Sequence, residues 1–354
     1  MNVVTTAARA AAADAVTRDD WADALRILAT GGVVLLHTAA LWVDQYAALP
    51  ADHWMAANLW DAATRVCVPW FLMLSGWLLL PRQETPGAFL RTRLPRLLLP
   101  LLAWSLLYLL WTGWHTDAGW PGWRAVLAIA GAPAHYHLWF LYTLVGLYLG
   151  IPLLRVLVAH AGERLLWYAV LLWVLAASVL PLLAKLSGQP LTFGLQPYAG
   201  LGGYLLLGVL LGRRTTDVRT ATACAVLALA GTLFTGLATW WFTVRSGQVA
   251  VYFYDWLSPN VIGTAACGWL ALQHVFAGAT PRPSASREEL SRCCFGIYLV
   301  HPLWLAILQG GTALPSLPLH PALGIPVWAG SVFGASLLSI ALLRRVPVLR
   351  WMAP

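Results

Sequence analysis

Two histidines lie inside long apolar segments of this 354-residue sequence, where an ionisable side chain is costly and therefore points to function. His37 lies within GGVVLLHTAALW, and His301 lies within GIYLVHP. An imidazole gains and loses a proton near neutral pH, so both residues are candidates for general base or nucleophilic chemistry. The alternative is a structural role in which the ring satisfies a backbone carbonyl. At His301 the following Pro302 frees such a carbonyl.

Arginines precede these apolar segments at defined spacings. Arg26 lies 11 residues before His37, which places both side chains on one helix face, about 16 Å apart along the axis. Arg93 and Arg96 are neighbours on a helix surface ahead of a further apolar segment. The planar guanidinium fork suits phosphate, so a polyanionic head with a long flexible arm, as in coenzyme A, would extend from the arginines to His37. The alternative is that the arginines only set membrane topology.

The composition indicates that these residues belong to a membrane protein. The chain is 60% hydrophobic and 10% charged, with a mean hydropathy of +0.70. Soluble domains are about 45–50% apolar and about 25% charged. Continuous apolar runs such as Leu165–Leu183 lack the alternation of barrel strands, so the predicted fold is all-α. The net charge of +8 is scattered between these runs without a recognition motif, which excludes nucleic acid as a partner.

The hydropathy pattern predicts about ten transmembrane helices within one domain, residues 25–343, between cytoplasmic tails at 1–24 and 344–354. Ala125–Ala134 is too short to span and is predicted to be an interfacial or re-entrant helix. The longest loops, Asp44–Thr64 and Thr112–His137, are predicted to face outward. The predicted spans are Leu25–Val43, Val66–Leu80, Arg96–Trp111, Leu138–Leu154, Leu165–Leu183, Tyr198–Gly212, Ala221–Phe242, Trp256–Val275, Cys293–Leu308 and Ala322–Leu343.

The distribution of basic residues orients these helices. With the N-terminus in the cytoplasm, 18 of the 22 Lys and Arg residues fall on the cytoplasmic side, so both termini are predicted to be cytoplasmic. Below, the inner end of a helix is the end predicted to face the cytoplasm. The predicted spans Leu25–Val43 and Cys293–Leu308 both run outward from this end, so His37 and His301 are expected at comparable depth. The N-terminal residues lack the apolar core of a cleaved signal peptide. The five cysteines form no CxxC pair, which predicts reduced thiols with neither disulfides nor a metal site.

Charged residues at the predicted outer ends are candidates for binding a substrate. Asp44 follows His37 by seven residues, on nearly the same face but about 10 Å higher, too far for a direct bond. Arg65 has the i, i+4 spacing of a salt bridge with Asp61, which is its default role, and it is also assigned to substrate binding. Asp255 is a further candidate for lining an outer vestibule.

Five elements occur in an order that resembles the acyltransferase-3 family of membrane acyltransferases over nearly the whole chain. They are RILATGGVVLLH, VPWFLMLSGWLL, RLPR, HLWFLYTLVGLYLGIP and FGIYLVHP. The resemblance implies that Arg26 and His37 form an essential pair and that Arg93 and Arg96 form an RxxR element. It also implies functional roles for His137, Trp139 and His301, whereas Ser75 and Gly76 fall on an SG element suited to close helix packing.

The resemblance implies an O-acyltransferase of the bacterial inner membrane. Many members take acetyl groups from cytoplasmic acetyl-CoA and modify cell-surface glycans or lipid-linked sugars. The expected catalytic residues are Arg26, His37 and His301, and the expected acetyl-CoA-binding residues are Arg26, Arg93 and Arg96. His137, Trp139, Asp44 and Arg65 are expected to bind the acceptor, no metal is expected, and a homo-oligomer is left open.

Two alternatives stay open at this level. His37 acts either as a general base on the acceptor hydroxyl or as a nucleophile that forms an acyl-imidazole. The competing function is a transporter or exporter of a small molecule or an acylated sugar. Internal repeats would favour transport, and the sequence shows none.

Overall fold

The computed structural model describes residues 3–116, 122–189, 195, 199–278, 284–310, 314 and 319–354. Within these ranges the chain forms helices and no β-strand, which confirms the predicted all-α class. The α-helices are α1 Val3–Val43, α2 Ala51–Thr64, α3 Cys67–Leu79, α4 Pro86–His115, α5 Trp123–Ala128, α6 Trp139–His160, α7 Glu163–Val174, α8 Leu180–Ser187, α9 Gly203–Gly212, α10 Val218–Ser246, α11 Pro259–Gly278, α12 Ala285–Gln309 and α13 Pro321–Arg345.

Among the described residues, eight helical segments are long and apolar enough to cross a membrane, so the chain is a multi-pass membrane protein. The other two predicted spans coincide with α9 and α11, and the number of crossings stays a prediction. The eight segments are Trp21–Val43, Ala51–Leu79, Pro86–His115, Tyr136–His160, Glu163–Ser187, Val218–Ser246, Ala285–Gln309 and Pro321–Arg345.

The second of these segments corrects the sequence-based prediction. Asp44–Thr64 was expected to be an outer loop, yet α2 occupies most of it and is separated from α3 only by the turn at Arg65 and Val66. Two of the polar residues that made α2 resemble a loop are buried, whereas Asp52 in its first turn is exposed. Asn58 and Asp61 are fully buried, and Asn58 donates from Nδ2 to the Gly236 carbonyl at 2.8 Å.

The second predicted loop, Thr112–His137, is also shorter than expected. The helix α4 continues to His115, and residues 117–121 lie outside the described part of the chain. The short helix predicted within Ala125–Ala134 appears as α5, which has no buried residue. A 3-10 turn over Tyr136–Leu138 then leads into α6.

Close backbone contact between α3 and α9 forms part of the interior. A Cβ atom at Gly76 would overlap the backbone of Leu205, and one at Gly208 would overlap the backbone of Met73. Only glycine permits this approach, as in other tightly packed membrane helices. The packing role expected for the SG element is therefore present at Gly76.

The helix α1 occupies a central position, because it contacts α2, α3, α11, α12 and α13. Leu25 and Ala29 on this helix are fully buried. Arg26 and His37 thus lie on an element that is surrounded by five others, so side chains from distant parts of the sequence can reach them.

Candidate active site

An arginine-lined cavity of about 550 Å³, here called the inner cavity, lies at the inner ends of α1 and α4. Arg26 enters it from α1, and Arg93 and Arg96 enter it from the first turns of α4. No acidic side chain lines it within the described ranges. The three residues expected to bind acetyl-CoA are therefore brought to one positively charged wall, although their ligand stays a prediction.

The guanidinium of Arg26 is fixed by a three-residue network. Nη1 of Arg26 donates to Asp23 Oδ1 and to Ser291 Oγ, each at 2.6 Å. Ser291 Oγ in turn donates to Asp23 Oδ1 at 2.6 Å, which joins α1 to α12. The side chain of Arg26 stays 32% exposed, so it is still accessible to a ligand in the inner cavity.

A second, smaller cavity of about 180 Å³, here called the histidine cavity, contains His37. Its described wall is drawn from five parts of the chain: α1, the α2–α3 break with the start of α3, the segment that opens α6, the segment before α11, and α12. Besides His37 it is lined by Val33, Leu36, Arg65, Cys67, Val68, Phe71, His137, Trp139, Phe140, Trp256 and Tyr298.

The two cavities share three aromatic wall residues, Phe71, Phe140 and Tyr298. The Phe71 and Phe140 ring centroids lie 6.2 Å apart, and those of Phe140 and Tyr298 lie 6.0 Å apart. The Tyr298 hydroxyl donates to the backbone carbonyl of His137. A single aromatic layer therefore separates the arginines from the histidines.

Three histidines that the sequence analysis selected form one cluster. The rings of His37 and His301 stack with centroids 5.2 Å apart, and those of His137 and His301 lie 5.5 Å apart. His137 and His301 are almost completely buried. The expectation that His37 and His301 lie at one depth agrees with this contact, whereas their catalytic role stays a prediction.

The two ring nitrogens of His301 have different tasks. Nδ1 lies 2.8 Å from the Tyr298 carbonyl and 3.3 Å from that of Ile297. Carbonyls only accept, so Nδ1 carries the proton and Nε2 holds a lone pair. Pro302 cannot donate to the Tyr298 carbonyl, and His301 Nδ1 replaces that missing bond. Nδ1 thus has the structural role of satisfying a backbone carbonyl, whereas the lone pair of Nε2 is available to a ligand.

Two buried nitrogens in this cluster have no hydrogen-bond partner among the described residues. They are Nε2 of His301 and Nε2 of His137. Leaving a buried polar atom unsatisfied costs about 1–3 kcal/mol, so such atoms call for an explanation. A hydroxyl group on a bound substrate would provide the missing partner.

His135 and Tyr136 belong to the cluster but were missed, because the sequence analysis assigned them to an outer loop. His135 Nδ1 lies 2.9 Å from His137 Nδ1, and the His135 ring stacks on Tyr108 at 4.3 Å. Burial lowers the pKa of His135 to about 4. Tyr136 packs against His37 with ring centroids 5.0 Å apart. The available signal was the aromatic triplet HYH directly before an apolar segment.

Aromatic rings form the outer part of the histidine cavity. Trp139 stacks on Trp256 with ring centroids 4.6 Å apart and an interplanar angle of 24°. Both line the cavity, and Trp256 Nε1 is a further buried donor without a partner among the described residues. Trp256 was not selected from the sequence as a site residue, since tryptophans at helix ends are common in membrane proteins.

Arg65 lies at the break between α2 and α3 and lines the same cavity. Its Nε donates to Asp61 Oδ1 at 2.5 Å, which confirms the i, i+4 salt bridge. The guanidinium also lies 4.1 Å from the centre of the Tyr254 ring. Asp61 is fully buried and its Oδ2 lacks a partner within the described residues. The positive charge of Arg65 is therefore held at the edge of the cavity.

Asp44 and Asp255 are outside the described lining of the histidine cavity. Asp44 lies in the turn after α1, where partial desolvation by the surrounding protein raises the pKa of its carboxyl and the charge of Arg65 opposes this shift. Asp255 accepts a hydrogen bond from the Leu257 backbone N–H at 2.7 Å. The assignment of Asp44 to acceptor binding stays a prediction.

One further group of metal-ligating side chains lies apart from both cavities. Asp52, His53 and His320 have potential ligand atoms within 4.8 Å of one another. His320 Nδ1 accepts from the Ala322 N–H at 3.2 Å, and its Nε2 lies 3.2 Å from Asp52 Oδ2. With Nδ1 accepting, Nε2 carries the proton that a metal would have to displace. This geometry favours a helix cap and a surface contact.

Comparison with known proteins gives one match. The acyltransferase-3 family model, described as an acyltransferase domain, matches residues 19–344. No curated protein and no solved structure shows significant similarity to the chain. The matched residues include all the candidate side chains named above and the described lining of both cavities except Pro354.

Proposed function

Because the chain belongs to the acyltransferase-3 family, it is a membrane acyltransferase, and we propose that it transfers acetyl groups from cytoplasmic acetyl-CoA to hydroxyls of a glycan. The proposed acceptor lies on the outer side, as a surface polysaccharide or a lipid-linked precursor. The proposed location is the bacterial inner membrane. The observation that carries the proposal is the single aromatic layer between the arginines and the histidines.

The donor binds with its phosphates against Arg26, Arg93 and Arg96 in the inner cavity. A charge-assisted hydrogen bond from arginine to phosphate is strong and geometrically defined. The pantetheine arm passes Phe71, Phe140 and Tyr298, so that the thioester lies near His37. Helix geometry separates Arg26 from His37 by about 16 Å along α1, a distance that this arm spans.

The transfer exchanges one bond for another. The acceptor oxygen attacks the thioester carbonyl carbon, a C–O ester bond forms, and the C–S bond breaks. The hydroxyl proton passes to His37 and then to the departing thiolate, which leaves as free coenzyme A. In the alternative route His37 attacks the thioester carbon, a C–N bond forms as the C–S bond breaks, and the imidazole N–H proton passes to the thiolate. The acceptor oxygen then attacks this acyl-imidazole, a C–O bond forms as the C–N bond breaks, and the hydroxyl proton restores the imidazole. Either route needs a neutral His37 at the start.

His301 and Arg65 support this step in different ways. The lone pair of His301 Nε2 accepts a hydrogen bond from a second hydroxyl of the acceptor glycan, which orients the reacting hydroxyl toward the thioester. The guanidinium of Arg65 favours the negative charge that develops on the carbonyl oxygen, and its effect is larger in a cavity with little water. Trp139 and Trp256 offer flat apolar faces for a sugar ring.

The direct test uses purified protein, acetyl-CoA labelled in the acetyl group, and membranes that carry surface glycans and their lipid-linked precursors. The expected result is label in the glycan or glycolipid fraction with an equal amount of free coenzyme A. Butyryl-CoA in parallel tests the preference for acetyl. Absence of protein-dependent label in these fractions would overturn the proposal.

A further inference from the structure

A third cavity opens between α1, the α2–α3 break and α13, and has a volume of about 560 Å³. We call it the lateral groove. Among its described lining residues the only hydroxyl belongs to Thr64, which donates to the carbonyls of Trp60 at 3.0 Å and Asp61 at 2.9 Å. The groove is lined by Ile27, Leu28, Gly31, Gly32, Leu35, Ala63, Thr64, Val66, Cys67, Trp70, Pro326, Ala329, Gly330 and Phe333.

The depth and chemistry of the groove restrict its occupant. Its lining residues all lie within three candidate membrane spans, Trp21–Val43, Ala51–Leu79 and Pro321–Arg345. None of the described lining residues is charged, and the Trp70 indole N–H is already bonded to the Ala265 carbonyl at 3.0 Å. At this depth an irregular or polar segment would leave backbone groups unsatisfied, so a hydrocarbon chain is the suitable ligand.

The lateral groove and the histidine cavity are separated by a thin partition. Cys67 lines both of them. On α1, Leu35 faces the groove while Leu36 faces the histidine cavity. A Cβ atom at Gly32 would lie only 3.2 Å from the Cβ of Cys67, so α1 and α3 approach closely at this point. A hydrocarbon chain in the lateral groove is thus separated from the histidine cavity by the thickness of about one side chain.

The outer rim of the groove leads directly to charged and catalytic candidates. Thr64 lines the groove, and the next residue, Arg65, lines the histidine cavity. At this rim a hydrogen bond holds the opposite wall of the groove, α13, against α2. Pro326 cannot donate to the Ala322 carbonyl, and Trp60 Nε1 donates to that carbonyl instead at 3.0 Å, joining α2 to α13.

We propose that the lateral groove binds the hydrocarbon chain of a lipid-linked acceptor, an inference that rests on the proposed function. The chain lies against α1 and α13, and the polar head lies at the rim beside Arg65 and His37. A hydrocarbon chain gains little free energy by leaving the bilayer for an apolar groove. The groove therefore acts mainly by position, holding the head where its hydroxyl reacts.

Two glycines allow the groove to be filled without disturbing the helices. A Cβ atom at Gly31 or at Gly330 would have no atom within 4 Å, so leucine at either position extends into open space. Gly263 on α11 is also exposed and has the same open surroundings, but it is not part of the groove. Gly31→Leu and Gly330→Leu are thus the test variants, and Gly263→Leu is the matched control.

The experiment reconstitutes full-length protein in phosphatidylcholine vesicles with a hexadecyl glucoside that carries a diazirine near the end of its chain. After illumination, mass spectrometry is expected to locate the label on residues 27–35 and 326–333. Gly31→Leu and Gly330→Leu should each lower this labelling by about tenfold, because the leucine side chain takes up space that the hydrocarbon chain would fill. Gly263→Leu should leave it unchanged.

Other outcomes would overturn the proposal. Equal labelling of the groove by a diazirine phosphatidylcholine would make it an ordinary lipid-facing surface, and labelling that the leucine variants do not reduce would place the chain elsewhere. Acetyl-CoA consumption is measured on the same samples. Consumption without selective labelling removes the groove proposal alone. Selective labelling without any consumption removes the proposed function and leaves a glycolipid-binding groove.

Discussion

The inner cavity and the histidine cavity adjoin each other but hold their polar side chains in different ways. The inner cavity is about three times larger, at about 550 Å³ against about 180 Å³, and its Arg96 is exposed. In the histidine cluster, His137 and His301 are almost completely buried, and each bonds through Nδ1 to a defined partner. An exposed, flexible cation such as Arg96 suits capture of a charged ligand from water, whereas the Arg26 guanidinium is already held by Asp23 and Ser291. Fixed imidazoles suit a reaction that depends on geometry.

The largest expected effect tests whether chemistry belongs to the histidine cavity. His37→Ala should lower acetyl transfer by about 10²–10⁴-fold, the usual contribution of a general base. Acetyl-CoA binding should persist, since the phosphate contacts lie about 16 Å away along α1. Steady-state transfer and equilibrium binding of acetyl-CoA measure the two properties separately.

His160→Ala is the matched control for this variant. The His160 ring is exposed at the inner end of α6 and contacts a carbonyl of its own helix, that of Val156, at 2.9 Å. Its replacement should leave transfer unchanged. A folded His37→Ala protein that binds acetyl-CoA and transfers acetyl at the native rate would contradict the assignment of chemistry to the histidine cavity.

The next effect concerns the inner cavity. Arg93→Ala or Arg96→Ala should weaken acetyl-CoA binding by about 10–100-fold, the equivalent of about 1.5–3 kcal/mol for one charged hydrogen bond. Arg→Lys variants should recover only part of the loss, because the bidentate fork is gone. Arg91→Ala is the control, since Arg91 is exposed on the same turn and does not line the cavity. If Arg93→Ala and Arg96→Ala bind acetyl-CoA as tightly as the Arg91→Ala control does, Arg93 and Arg96 only set membrane topology.

The smallest expected effect sharpens the description of the histidine cluster. Burial lowers the pKa of His135 to about 4, against about 6.5 in the unfolded chain. Between these values the unfolded state binds more protons, so stability should rise with pH from about 4 to about 6.5. Thermal unfolding of the wild-type protein and of His135→Gln across this window measures the effect. The variant should lose part of the pH dependence, and identical profiles would mean that His135 is not buried as described.

Residue type and helix periodicity were sufficient to predict the part of the candidate site that α1 provides. An arginine and a histidine 11 residues apart on one apolar helix share a face by geometry alone, and Arg26 and His37 do line adjoining cavities. The contact of His37 with His301 is different, because two distant helices supply it. There the sequence indicated only equal depth, and the packing of α1 against α12 brings the rings together.

The two errors of the sequence-based prediction, α2 assigned as a loop and His135 missed as a site residue, have a common physical cause. Asn58, Asp61 and Arg65 lower the hydropathy of α2, so the segment resembles a loop when each residue is judged against lipid. In the folded protein Asn58 bonds to the Gly236 carbonyl and Asp61 pairs with Arg65. His135 was missed for the same reason. Hydropathy measures a residue against the bilayer, whereas these residues are surrounded by protein.

The contact between α3 and α9 has a consequence for how the protein is assembled. The helix α9 has 10 residues, about 15 Å of rise, which is half of the hydrocarbon thickness. Its residues from Tyr204 to Gly212 are all buried, so lipid gives this helix almost no contact surface. The helix α9 contacts α3, α7 and α11, of which α3 and α7 precede it in the chain. Insertion of α9 is therefore a docking event onto helices that leave the ribosome before it, and α11 completes its burial afterwards.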